Sequence, residues 1–296
     1  MDWLTRFPTM PTEDLTAVKK AIDETFRMFT RAFGPSLEAF FKPLQWFLIW
    51  AEKLLTGSPW PIVLAVIALL VWVASRNGRI VAGSVVGLLV IGWLGMWDDT
   101  MKTISMIFVA TLLSVALGIP LGILMSRSNR ARSIINPVLD VMQTMPSFVY
   151  LIPVVMLLGI GRVPGLIAVV IYAIPPMIRL TDLGIRLVDR EVLEAADAFG
   201  SSKAQKLFNV QIPLALPTIM AGINQTIMMA LAMVVVAAMI GVQGLGQPVL
   251  KSIANQYFAL GIFNGLAIVA IAIVFDRTTQ AFGRRLQKHR EVVHGN

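Results

Sequence analysis

The sequence predicts an all-α membrane protein with about seven transmembrane helices and N-terminal helices lying at the membrane interface. Three observations lead there. Of 296 residues, 56% are hydrophobic and only 14% are charged, where a soluble domain carries roughly 25% charged residues. The mean hydropathy is +0.75, which suits a bilayer as solvent better than water. Seven segments, near 59–75, 80–97, 101–125, 134–159, 163–181, 213–241 and 257–276, approach the length of about 20 apolar residues that a crossing helix needs.

The charges between these segments alternate in sign bias. Arg76 and Arg79 follow the first span, and Arg127, Arg130 and Arg132 follow the third. Arg186, Arg190, Lys203 and Lys206 follow the fifth, and Arg284, Arg285, Lys288 and Arg290 follow the seventh. The other side holds Asp98, Asp99, Lys102, Arg162 and Lys251. Basic loops stay in the cytoplasm, so the N-terminus is expected outside and the C-terminus inside. The same rule accounts for the net charge of +8 without nucleic acid. The first residues carry charges and prolines instead of an apolar core, so no secretory signal is expected. With no cysteine, disulfides and thiolate metal sites are excluded. His289 and His294 both fall in a polar tail, away from any metal cluster.

Within residues 1–57, Leu15, Val18, Ile22, Phe26, Phe29 and Phe33 recur at helical steps and form one apolar stripe. Thr12 is the expected N-cap, Glu13 and Asp14 suit the positive end of the helix dipole, and Gly34-Pro35 is the expected stop. Leu44 to Ala51 is apolar but short, and Trp46 and Trp50 suit an interfacial depth. These helices either lie on the outer surface or pack on the protein's own spans. An eighth span over 37–55 would put the N-terminus inside; Lys42, Pro43 and Glu52-Lys53 disfavour it. Pro120, Pro146, Pro153 and Pro175-Pro176 mark expected kinks.

Between the fifth and sixth spans lies a polar insert. Asp189 to Ala196 favours a helix, since Ala is the best helix former and leaves a surface another protein can approach closely. Gly200 permits a backbone conformation that Cβ-bearing residues avoid. Ser201 can cap a second helix through Phe208, and Pro213 and Pro217 interrupt the run before the next span. A plain amphipathic loop is the competing reading of this stretch alone.

The wider pattern resembles the EAA loop of ABC importer permeases: Glu-Ala-Ala, three residues, Gly, nine residues, then Ile-x-Leu-Pro. Glu194, Ala195, Ala196 and Gly200 match directly, with Val210-Gln211-Ile212-Pro213 in place of the last element. Further strings resemble the glycine betaine/proline betaine permeases specifically, over roughly two-thirds of the chain. They are 142–147 (MQTMPS), 159–165 (GIGRVPG), 173–181 (AIPPMIRLT), 220–226 (MAGINQT) and 241–247 (GVQGLGQ).

The resemblance implies a type I ABC importer transmembrane domain. Residues 58–97 would be two accessory helices, 98–282 the core permease with its EAA coupling loop at about 186–213, and 283–296 a basic cytoplasmic tail. It implies a homodimer in the bacterial inner membrane, two ATP-binding cassette ATPase subunits beneath it, and a separate extracytoplasmic substrate-binding protein. Glu194, Ala195, Ala196 and Gly200 would then form the ATPase-coupling element. The chain carries no phosphate-binding Gly-x-x-x-x-Gly-Lys loop, so no cofactor is expected on it; ATP and magnesium belong to the partner ATPase.

Intramembrane polar residues face a bundle interior. Asp140, Gln143 and Thr144 fall on the fourth span, and Asn224, Gln225 and Thr226 on the sixth. Interhelical hydrogen bonds, worth about 0.6 kcal/mol each, compete with substrate contact as the explanation. Asn224-Gln225-Thr226 also spells a glycosylation sequon, which a buried span cannot use. A quaternary ammonium is best held by aromatic faces. Phe148 and Tyr150 are the candidates for the translocation path, beside Gln143 and Asn224, ahead of Tyr172 and of Trp93 and Trp97, which suit an interfacial belt. Gly83/Gly87, Gly118/Gly122 and Gly261/Gly265 fit close helix packing.

Two other classes compete. A self-sufficient secondary transporter or channel would favour an inverted repeat and an intramembrane ion site; no clear repeat is visible, and Asp140 stands as the one deep acid. An intramembrane enzyme would need a convergent catalytic set, and neither Cys nor His falls within a span.

Overall fold

In the computed structural model, Phe7 and residues 9–291 are described, with side chains through Arg285. The tail expected at 283–296 therefore lies mostly outside the described residues. Helices α1 (Thr12–Thr56), α2 (Trp60–Ser75), α3 (Gly78–Trp93) and α4 (Trp97–Arg127) come first, then α5 (Asn129–Thr144), α6 (Leu151–Leu158), α7 (Arg162–Arg186) and α8 (Arg190–Ala198). A short α9 (Lys203–Gln205) runs through a π-turn into α10 (Ile212–Ala237), followed by α11 (Gly246–Asn255) and α12 (Phe258–Glu291).

Packing is organised around α7, the most buried of the long apolar helices, held between α4 and α10. Leu166, Val169 and Ala173 of α7 meet Met106, Val109 and Ala110 of α4 and Ala230, Met233 and Val234 of α10 in one core. The α4–α7 seam is close because of glycine. A Cβ on Gly122 would lie 2.5 Å from Thr181 Cβ and 2.7 Å from the Ile178 carbonyl oxygen, and one on Gly118 would lie 2.7 Å from Met177 Cγ. The other glycine pairs differ: Gly83, Gly87 and Gly265 face open space, and Gly261 meets Ser252. Helix α12 packs on α10, α11 and α2, and α2 pairs with α3.

By length and composition, α4, α7, the continuous helix 203–240 and α12 can each cross a bilayer. The remaining expected spans take other forms. The segment expected to cross as 134–159 is a bent pair: α5 ends before Pro146, and the chain turns by 112° through Ser147–Tyr150 into α6. Pro146 has no N–H for the next helical bond and steers Met145 into extended backbone (ψ 136°), so the helix cannot continue. Pro120, Pro153 and Pro175-Pro176 instead lie inside continuous helices. Helices α2 and α3 have 16 residues each, a length of about 24 Å.

The N-terminal region corrects two expectations and, for the second half of α1, decides between two alternatives. Gly34-Pro35 does not stop the first helix; α1 runs 45 residues with Pro35 and Pro43 inside it. Each proline gives up one backbone bond. Flanking turns with good helix formers and apolar contacts along the second half carry the helix through. Pro11, not Thr12, holds the N-cap position, and no side chain caps it. The second half of α1 is seated on the protein: Leu48 and Ala51 are buried in the main core, and α1 packs on α4, α6 and α7. The Phe29 and Phe33 rings, 4.8 Å apart, stay exposed with Leu15, Val18 and Ile22. A turn of 107° separates α1 from α2.

Candidate functional site

The polar insert forms a projecting elbow. Asp189 accepts a bond from the Glu191 N–H at 2.9 Å and starts α8. Arg190 and Glu194, one turn apart, pair at 3.0 Å on its surface. No residue of α8 is buried. The helix ends at Phe199, 92% exposed, and Gly200 reverses the chain at φ +73° with no atom within 4 Å of where a Cβ would stand. The limiting factor at Gly200 is therefore backbone conformation, not space. Lys206 reaches back to Asp197 at 2.5 Å and fastens the two arms.

The second arm departs from expectation in two respects. Ser202, not Ser201, caps it, in a capping box with Gln205. Pro213 and Pro217 do not interrupt it, since the helix is continuous from Lys203 to Ile240. Ahead of Pro213 the chain widens into a π-turn (Lys206–Gln211), in which the Ile212 N–H bonds the Leu207 carbonyl five residues back. That wider turn relieves the clash a proline ring makes with the carbonyl four residues earlier.

Directly behind the elbow lies a buried charge clasp. Asp182 of α7, with its side chain 5% exposed, accepts from Arg186 Nε at 2.8 Å and faces Arg132 Nε of α5 at 3.3 Å. Arg186 Nη2 also donates to the Met125 carbonyl of α4 at 2.6 Å. One carboxylate thus joins the ends of α4, α5 and α7, eight residues before α8 begins. Sequence reading passed over it because the fifth span was ended at 181; the Asp182/Arg186 spacing of four was the available signal. At the far end of α7, Arg162 pairs with Glu52 of α1 at 2.9 Å and donates to Gln243 Oε1 at 2.9 Å.

The α5–α6 turn brings together three of the expected path residues. Gln143 and Phe148 are exposed there. Tyr150 is 6% exposed; its O–H donates to the Met142 carbonyl and its ring stands edge-on to Tyr172 with centroids 6.2 Å apart. Asn224 is engaged elsewhere: its amide donates to Asp276 at 2.9 Å and accepts from Thr279, both on α12. Gln280 completes that cluster with a 2.6 Å bond to Asp276. Asp140 is not the one acid on the helices expected to span: Asp182 lies on α7 and Asp276 on α12. Asp140 accepts from Arg179 of α7. With Gln143 and Thr144 it forms an exposed polar stripe along α5.

A core of long apolar helices with a projecting helix–glycine elbow is the architecture of a multi-span membrane component. Residues 114–288 match the family described as binding-protein-dependent transport system inner membrane component, and the chain belongs to that family. It is 45% identical over 293 residues (96% of this chain, 82% of the relative) to the glycine betaine/proline betaine transport system permease protein ProW of Escherichia coli. It is 43% identical to the glycine betaine/carnitine transport permease protein GbuB of Listeria monocytogenes, covering 94% of this chain and 98% of that one. Identity to the glycine betaine transport system permease protein OpuAB of Bacillus subtilis is 42%, covering 93% and 95%. The fold is shared with a chain of the MetNI methionine ABC transporter in inward-facing conformations: TM-score 0.58, 18% identity, 62% of this chain and 93% of that one.

Proposed function

We propose that this chain is the permease subunit of an ATP-driven importer for compact quaternary-ammonium zwitterions of the glycine betaine and proline betaine type, and that it works as a homodimer. The observation that carries the reading is the elbow, a short helix with no buried residue, ended by a nearly naked Phe199 and a left-handed Gly200. Such a surface has no use within the chain and suits a groove on a motor subunit. Glu194, Ala195, Ala196 and Gly200 make that contact, and ATP and magnesium are held by the ATPase. The elbow end faces the cytoplasm, where the basic residues Arg132, Arg186 and Arg285 gather. The opposite end, with Arg162, Glu52 and Gln243, receives substrate from an extracytoplasmic binding protein. The names of the most similar relatives support the substrate class. The first half of α1, with its exposed apolar stripe, rests on the membrane surface.

Closure of the ATPase subunits moves α8. Because the clasp at Asp182 ties α4, α5 and α7 together beside it, the push is delivered to three spans as one rigid body. The test is co-purification with the partner ATPase after Gly200→Val. Forcing a β-branched residue to φ +73° costs roughly 1–2 kcal/mol. ATPase recovery is expected to fall while the permease still inserts and dimerises. Full ATPase recovery and unchanged uptake would refute the coupling role.

A further inference from the structure

We propose that Arg179 and Asp140 form a charge-reading station in the path: Arg179 receives the carboxylate, and Asp140 the ammonium, of a passing zwitterion. The inference rests on the substrate class proposed above and assigns it to two residues of this chain.

Position comes first. Arg179 lies seven residues before the end of α7, roughly 10 Å up the helix axis. Its guanidinium donates to Asp140 on α5. Both residues belong to segments that cross or enter the membrane, yet the pair is half open, with side-chain exposures of 36% for Arg179 and 63% for Asp140. Charges at that depth do not face acyl chains; they face protein or a water-filled path. Gln143 and Thr144 extend the same exposed polar stripe one turn further along α5, as a hydrated wall requires.

The pair also differs from its neighbour in kind. Asp182, one turn below, is enclosed and saturated by two arginines, as a structural joint should be. Arg179 instead is held by a single ion pair, to Asp140, and part of its side chain stays open. A zwitterion can replace each member of the Arg179–Asp140 pair with a group of the same sign, so both charges keep a partner. A simple cation would pair with Asp140 alone and leave Arg179 to water, so it gains less from the station than a zwitterion does.

The test uses the chain assembled with its ATPase and binding protein in proteoliposomes. Uptake is followed with glycine betaine and proline betaine as zwitterions and choline as the cation. Asp140→Asn and Arg179→Gln are each expected to lower kcat for zwitterion uptake at least tenfold, with the half-saturating concentration of loaded binding protein unchanged within twofold. The neutral double variant Asp140→Asn/Arg179→Gln decides between reading and bracing. It leaves no orphan charge, so a bracing pair would be restored and uptake would recover; a reading pair would stay at least tenfold impaired. Recovery in the double variant overturns the station alone. Wild-type uptake of choline without either zwitterion overturns the station and the substrate class together.

Discussion

Asp182 sits among three helix ends with almost no access to water, so its charge is tolerable only while Arg132 and Arg186 answer it. Asp182→Ala leaves two guanidinium groups facing each other, but Arg132 is 44% exposed and Arg186 keeps the Met125 carbonyl, so the loss is that of charge-assisted hydrogen bonds, about 1.5–3 kcal/mol. The expected outcome is a markedly lower unfolding midpoint in detergent. The neutral combination Asp182→Asn with Arg132→Gln should recover part of the loss. At this scale the sequence was readable where a residue type is chemically restrictive. Gly200 was legible because only glycine adopts a positive φ cheaply. Arg179 and Asp276 were not, because their partners Asp140 and Asn224 lie on other helices, 39 and 52 residues away along the chain; of the Asp182 clasp, only the Arg186 half is local in sequence.

Helix α7 meets α4 through glycine. Gly122 presses against Thr181 and the Ile178 carbonyl of α7, whereas Gly87 of α3 meets nothing within 4 Å. Gly122→Ala should therefore lose about 1–3 kcal/mol through overpacking against backbone, read as a fall in thermal midpoint. Gly87→Ala, on the same small-residue spacing, should leave the midpoint unchanged. The spacing rule alone cannot separate these pairs; the identity of the neighbour does. Prolines show the same split. Pro146 ends a helix, whereas Pro35, Pro43, Pro120, Pro175 and Pro217 are carried inside helices. Tertiary contacts and one π-turn supply what the lost backbone bonds withhold, and neither is written in local sequence.

The whole molecule presents a fold whose four long apolar helices were legible from apolar length and whose class was legible from composition, whereas three of the seven expected spans take other forms. What escaped was the direction taken by each segment: the 107° turn after α1 and the 112° turn within the fourth span depend on packing that no window of hydropathy contains. The polar stripe on α5 gives a test at this scale. The chain has no native cysteine, so single cysteines at Asp140, Gln143 and Thr144 can be introduced directly. In the assembled transporter these positions should react with a membrane-impermeant thiol reagent, and cysteines at Leu166 and Val169, buried in the core, should not. Protection of the stripe in every state of the ATP cycle would remove the water-filled path from α5.

The π-turn at Lys206–Gln211 carries one residue more than the α-helix would need to span the same rise. Each helical residue turns the axis by about 100°, so this single surplus amino acid sets the compass bearing of everything before it. Deleting Asn209 would leave every side chain of the elbow intact and swing it by roughly that angle about the α10 axis. A motor that still recognised the handle would then pull in the wrong direction. Binding without work is the expected phenotype, and it would show that this transporter depends on azimuth as much as on affinity.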